Sequence, residues 1–437
     1  MAREVVSGSP PATGQPVAGF LAIIVALTFA MNMVGRGVTE SFAVFLLPVQ
    51  AGLAASRAEI TATYAIFAIA YAVSAPFVGQ LIDRLGVRIT YGLGLSVLGL
   101  GYWAAALATA PWHYYLTAGL CGGIGSAALG MIVASSILAR WFTRRMGSIV
   151  SLPYAAMGTG MLIVPPLMQL LLDAYGWRSA HRMLGLATLA LLPLMLLLPL
   201  SRIGAGSQDW RAARAAQAAS HSDGWTVSSA LRTPAFWGLF SAYFWTSVAA
   251  YSILPQSVAY LIERGFHPLV AASAFGMTGM LSAIGIVAVG WLSDRIGRLK
   301  TVTGTYLVTA TGAIALLSIA VWPSYLLVYT FVICFGLMQG ARGPIIVSLI
   351  AHLFRGGAVG AIFGTLSIAM GLGQASGSFL SGVLQQWTGA YYASFSLGVI
   401  GSLLGMAMFW LVPSLRYEQM LPAPHPEGTA KTPPSAA

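Results

Sequence analysis

Charge is what this chain has least of. Only 8% of its 437 residues are Asp, Glu, Lys or Arg, against about 25% in a soluble domain, and that excludes a soluble enzyme of this length. Acidic residues number 11, and lysines only two, Lys300 and Lys431. Of the two cysteines, Cys121 and Cys334, both lie in apolar runs, which leaves neither a disulfide framework nor metal-ligand spacing. No nucleophile–base constellation, phosphate loop or nucleotide motif is found. Membrane-bound enzymology and ATP-driven transport are therefore disfavoured, and no cofactor is expected.

What fills the chain instead is apolar. Hydrophobic residues make up 57% and the mean hydropathy is +0.80, the composition of a polytopic membrane protein. Twelve apolar runs, numbered here as helices 1 to 12, cover 17–48, 58–82, 89–110, 113–139, 146–172, 181–201, 235–262, 269–293, 301–322, 325–352, 358–386 and 391–413. Each is near or above the ~20 residues that cross a bilayer. Residues 1–16 are polar and rich in Pro and Gly, and the run after them is too long for a secretory signal. They are expected to form a cytoplasmic tail.

The 22 basic residues would point to nucleic acid in a soluble chain; in a membrane protein their placement matters more. Links on the side of the termini hold Arg84, Arg88, Arg140, Arg144, Arg145, Arg202, Arg211, Arg214, Arg232, Arg295, Arg298, Lys300 and Arg355, and the other side only Arg57, Arg178, Arg182 and Arg264. By the positive-inside rule both termini are cytoplasmic. The expected organisation is a tail (1–16), a six-helix bundle (17–201), a cytoplasmic linker (202–234) forming a surface helix or loose connector, a second bundle (235–413) and a disordered tail (414–437).

The two halves repeat. Gly79-Gln80-Leu81-Ile82-Asp83-Arg84-Leu85-Gly86 matches Gly290-Trp291-Leu292-Ser293-Asp294-Arg295-Ile296-Gly297 at an offset of 211, and Ala156-Met157-Gly158-Thr159-Gly160 matches Ala369-Met370-Gly371-Leu372-Gly373 at 213. At 213, Gly147 also meets Gly360, Gly176 meets Gly389 and Cys121 meets Cys334. Separated matches at nearly one offset describe duplication, the plan of rocker-switch transporters.

The stretches Gly79 to Arg88 and Gly290 to Arg298 resemble the loop that follows helices 2 and 8 in the major facilitator superfamily. The resemblance implies that Gly79, Asp83, Arg84, Gly86 and Arg88, with Gly290, Asp294, Arg295, Gly297 and Arg298, form gating contacts, the two aspartates meeting helix termini and arginines across the half interface. Ser41-Phe42-Ala43-Val44-Phe45, Ser56-Arg57-Ala58-Glu59-Ile60 and Arg140-Trp141-Phe142-Thr143-Arg144-Arg145 are similar to the monocarboxylate transporter and oxalate–formate exchanger branch. Helix 8 here is uncharged and helix 11 carries no Arg or Lys, so this chain lacks the basic residues those relatives place there.

Its basic residues sit elsewhere. Arg36 in helix 1 and Arg342 in helix 10 lie deep in apolar runs, where a charge costs about 2.5–3.5 kcal/mol on insertion scales and usually faces a cavity with a job. The resemblance makes helices 1, 4, 7 and 10 the cavity walls. Arg342, within Gln339-Gly340-Ala341-Arg342-Gly343-Pro344, is expected to be the primary anion anchor, since a guanidinium matches a carboxylate with two hydrogen bonds. Arg36 and Glu40 are spaced i, i+4 and share a helix face. Either Glu40 takes up a proton and frees Arg36 for substrate, or the pair merely neutralises itself. Tyr251, Trp245 and Gln256 on helix 7, Gln339 on helix 10, Asn32 on helix 1 and Tyr154 on helix 5 complete the candidate substrate site.

The expectation is thus an all-α integral membrane protein, with twelve transmembrane helices in two pseudo-symmetric six-helix bundles. It would move a small organic anion, a mono- or dicarboxylate, by alternating access, through proton symport or anion exchange. Proton-driven drug efflux, and a transporter-like receptor signalling through 202–232, stay open as alternatives. A monomer in the inner (plasma) membrane of a bacterium is expected, with the anion, protons and lipid as partners and no nucleic acid.

Overall fold

A computed structural model describes residues 18–142, 146–207, 210, 225–354 and 359–416. The described part of the linker stops at residue 210 and resumes at Trp225, so its Arg211 and Arg214, the expected N-terminal tail, the expected C-terminal tail beyond Arg416, and Arg144, Arg145 and Arg355 lie outside the described residues.

The twelve spans are all present, though the helices that carry them are not twelve. One continuous helix, Arg57–Ala105, holds spans 2 and 3 and turns at Gly86, whose φ is +80°. Another, Met146–Leu189, holds span 5 and the start of span 6 and turns at Gly176 (φ +74°). The equivalent turns in the second half fall at Gly297 (φ +90°) and Gly389 (φ +66°). These are the glycines that the repeat aligned. Left-handed φ is open to glycine and strained for other residues, so the duplicated glycines mark where a chain leaving one span is sent back into the next.

Helices 1, 4, 7 and 10 are broken, at related places. Helix 1 consists of Ala18–Glu40 and Phe42–Gly52. Helix 4 runs from Pro111 to Trp141 and breaks at Gly130 between Gly122–Leu129 and Met131–Trp141. Helix 7 comprises Pro234–Tyr251 and Leu254–Glu263, and helix 10 comprises Tyr325–Met338 and Gly343–Leu353. Helices 8 (Pro268–Ile296), 9 (Arg298–Ser318), 11 (Val359–Thr388) and 12 (Tyr392–Leu411) run through unbroken. Interrupted spans free backbone groups and open the packing at mid-depth, the usual construction around a transported solute.

The halves meet along helix 5 against helix 8 and helix 2 against helix 11. Here small residues let backbones touch. A Cβ on Gly158 would collide with the carbonyl oxygen of Gly279, and one on Gly382 would collide with Thr61 Oγ1. Gly158→Val is expected to lower the melting temperature in detergent clearly, with Gly158→Ala between it and the wild type, because overpacking commonly costs about 1–3 kcal/mol. A valine variant that melts with the wild type would show that these helices part freely.

The two faces of the molecule differ in how the halves are joined. On the face opposite the termini, the distal face, Arg57 at the start of helix 2 pairs with Glu263 at the end of helix 7 at 2.7 Å. Beside them, Gln386 Oε1 accepts from the amide of Ala58 at 3.4 Å, and Ser378 Oγ donates to the carbonyl of Thr61 at 3.2 Å. Ala43 and Val44 from helix 1 enter one apolar cluster with Ile253, Leu254 and Val258 from helix 7. The distal side of the interface is shut. Toward the termini, an apolar recess of about 590 Å³ lies within the first half, among Leu21, Val25, Phe29, Phe142 and Leu152.

On the face of the termini, Asp83 Oδ1 takes a 2.8 Å bond from Arg140 Nη2, and Arg140 Nη1 donates to the carbonyl of Gly204 at 2.9 Å. Arg140 ends helix 4 of the same half, and through Asp83 and Gly204 it brings helices 2, 4 and 6 together. In the second copy Asp294 is exposed, and Arg295 lies over the Trp291 ring at 4.1 Å.

Candidate substrate and coupling site

The break in helix 1 falls directly after Glu40, and the break in helix 7 directly after Tyr251. These two positions are equivalent under the 211 offset. They meet each other at mid-depth, through Arg36. Its Nη2 lies 2.7 Å from Glu40 Oε1 and donates to Tyr251 Oη at 2.9 Å. Tyr64 on helix 2 donates to the same Glu40 Oε1 at 3.0 Å, and its ring lies 5.6 Å from that of Tyr251. Glu40 is 3% exposed and Arg36 20%, so the carboxylate is sealed while the guanidinium keeps an open edge. An ion pair this deep gives up most of its Coulomb attraction to desolvation. The two added hydroxyls supply what water would otherwise give.

Arg342 stands in the break of helix 10, after Gly340, whose φ is +77°. The expected primary anchor turns into its own bundle. Its Nη2 donates to Thr309 Oγ1 on helix 9 at 2.7 Å, and its guanidinium carbon lies 4.3 Å from the centre of the Tyr306 ring. Tyr306 is held in turn by a 2.6 Å bond to Thr246 on helix 7. An aromatic face attracts a guanidinium, and the unwound stretch lets the side chain swing toward it. Arg342 is 5% exposed, its Nε has no hydrogen-bond partner, and among the described residues no carboxylate bonds it. Among the described residues it is a buried cation without a carboxylate partner.

The other candidates divide. Tyr154 is 45% exposed, and Gln339 and Trp245 are half-buried, so these three can meet a solute. Gln339 Oε1 is itself buried and unbonded. Asn32 is buried and donates to the Thr28 carbonyl within its own helix at 2.9 Å. Gln256 is buried and donates to Ser381 Oγ on helix 11 at 2.6 Å. Both are occupied in packing, away from any open edge.

Sequence reasoning missed Tyr64, Thr309, Tyr306 and the Arg57–Glu263 bridge. A signal existed for helix 9, where Thr301, Thr305 and Thr309 recur every four residues beside Tyr306. Nothing comparable marks Tyr64.

Comparison with known proteins bears on this arrangement directly. Residues 20–361 match the model of the Major Facilitator Superfamily. The chain belongs to that family. Monocarboxylate transporter 11 of Homo sapiens is 30% identical over 407 residues, covering 91% of this chain and 83% of that protein. Monocarboxylate transporter 13 of Bos taurus is 28% identical over 406 residues, covering 91% and 90%. These place the transporter in the monocarboxylate transporter branch. Among solved structures, the inward-open xylose transporter XylE of E. coli superposes with a TM-score of 0.71 at 14% identity, over 90% of this chain and 96% of that one. A second structure, of a D-xylose–proton symporter, gives 0.68 at 15% identity, over 92% and 100%. At that identity the likeness is one of fold. This multi-pass membrane transporter is not an enzyme.

Proposed function

We propose that the transporter carries a small monocarboxylate together with one proton, by electroneutral symport across a bacterial inner membrane, with its termini in the cytoplasm and its distal face outside. The observation that carries this reading is the double engagement of Arg36 by Glu40 and by the opposite half's Tyr251. In the empty site Arg36 and Glu40 sum to zero charge. A proton on Glu40 releases the guanidinium, a carboxylate takes the vacated side, and the loaded site again sums to zero. Both forms cross without stranding a charge, which would cost several kcal/mol. Arg342 stays on Tyr306 in both forms and adds a constant positive potential that draws anions toward the cavity. The names of the related transporters support a carboxylate, and a dicarboxylate would leave one negative charge over unless a second cation met it.

The test is uptake into proteoliposomes of radiolabelled pyruvate, 2-oxoisocaproate and phenylpyruvate, strong acids that leak little as neutral forms, beside malonate and succinate. Uptake of a monocarboxylate is expected to rise with an inward proton gradient and to ignore a potassium–valinomycin potential. Glu40→Gln is expected to abolish the proton stimulation while anion exchange persists. Voltage-driven uptake would refute electroneutrality. Preference for succinate would assign Arg342 to a second carboxylate, and flux of none of the five acids would move drug efflux to the front.

A further inference from the structure

The phenol that touches Arg36 comes from the other half of the molecule. Tyr251 Oη accepts a 2.9 Å hydrogen bond from Arg36 Nη2, and Nη2 is also the nitrogen that faces Glu40. Its position makes Tyr251 a stand-in for substrate: an oxygen placed on the guanidinium, across the interface, while the distal side is shut. We infer that Tyr251 is the residue that lets the empty carrier reorient, and so decides between net transport and obligatory exchange. The inference rests on the symport reading above and adds to it a residue for the return step.

The physical argument concerns the closed, empty site. Loaded, Arg36 has the substrate carboxylate. Open to one side, it has water. Empty and closed, it has neither, and a buried guanidinium donor left unfilled is costly. Tyr251 supplies the missing acceptor only when helix 7 has come against helix 1, which is when it is needed. The groups bonded to Glu40 and Arg36 from packed elements are Tyr64 on helix 2 and Tyr251 on helix 7, with Tyr102 on helix 3 within electrostatic reach of Glu40. Tyr71 on helix 2 also lies within electrostatic reach of Arg36. Among these, Tyr251 alone belongs to the second half. Tyr64 and Tyr102 move with helix 1 and cannot report whether the halves are joined.

Tyr251→Phe removes the acceptor and keeps the ring. Two fluxes are compared, with radiolabelled pyruvate, 2-oxoisocaproate or phenylpyruvate as the probe. Net uptake into empty proteoliposomes under an inward proton gradient requires the empty carrier to return. Exchange into liposomes preloaded with the same unlabelled acid, without a gradient, does not. Net uptake is expected to fall about tenfold or more, the usual effect of losing a hydrogen bond to a charged group, and exchange by less than threefold. The residual net uptake keeps its proton stimulation, unlike that of Glu40→Gln. Tyr251→Gln, whose amide oxygen can accept from Arg36, is expected to restore part of the net flux. Tyr91→Phe is the control, removing a buried hydroxyl that has no hydrogen-bond partner from the first half. Equal losses in net uptake and exchange, or no change in either, would overturn the inference while leaving wild-type symport standing. Absence of both fluxes in the wild type would overturn the symport reading and the inference with it.

Discussion

Arg36→Met is expected to reduce both net uptake and exchange at least a hundredfold. Arg36 is the guanidinium with an open edge at the joint of the halves, and its loss removes charge-assisted bonds of about 1.5–3 kcal/mol from the bound carboxylate. It also strands Glu40, 3% exposed, and removing one partner of a buried pair costs about 3–5 kcal/mol. The two effects separate in the double variant. Arg36→Met with Glu40→Gln is expected to recover the melting temperature in detergent and none of the transport. Arg342→Met is expected to be milder, about tenfold, since that side chain lies on Tyr306 and Thr309 and acts through its field. Should the double variant still transport while Arg342→Met does not, the anchor is Arg342 after all.

Glu263→Gln is expected to open the distal face. Arg57 is 5% exposed, and Glu263, itself 39% exposed, lies 2.7 Å from it. The Nε and Nη1 of Arg57 are already without partners, so the carboxylate is its sole counter-charge among the described residues. Breaking the bridge removes a favourable term from the closed state alone. Partial exposure of Glu263 reduces the value of the pair to about 1–3 kcal/mol, and 1.4 kcal/mol is a tenfold change in an equilibrium. The measurement is labelling of Ala259→Cys by an impermeant maleimide, in a background without Cys121 and Cys334. Ala259 is buried in the closed distal side, and its labelling rate is expected to rise about tenfold or more with Glu263→Gln. The exchanged pair, Arg57→Glu with Glu263→Arg, is expected to return the rate toward the wild type. Unchanged labelling in Glu263→Gln would show that apolar packing between helices 1 and 7 closes this face without help.

What could be read in the sequence follows from what a helix fixes by itself. Residues four apart share a face, so Arg36 and Glu40 were legible as a pair. Duplication at 211 gave Tyr251 as the partner position of Glu40, and the repeated glycines gave the turns at Gly86 and Gly297. Contacts between helices depend on tilt and register, which no local spacing records. That is why Tyr64 escaped notice, and why the bridge from Arg57 to Glu263, 206 residues apart, did too. The surroundings of Arg342 were hidden for a further reason. Its depth could be read, but its direction was set by the break at Gly340 and by an aromatic ring on a neighbouring helix. The bond from Arg140, at the end of helix 4, to Asp83 likewise depends on how helices 2 and 4 pack, which the repeated motif does not record.

Glu40 and Tyr251 occupy one position of a duplicated unit and now face each other. Had the halves stayed identical there, two carboxylates would repel over a shared arginine, or two phenols would leave that arginine without a counter-ion. Neither arrangement can hold a neutral empty site and also accept a proton. At this position the two halves differ, and on the symport reading the charge chemistry of the carrier depends on that difference.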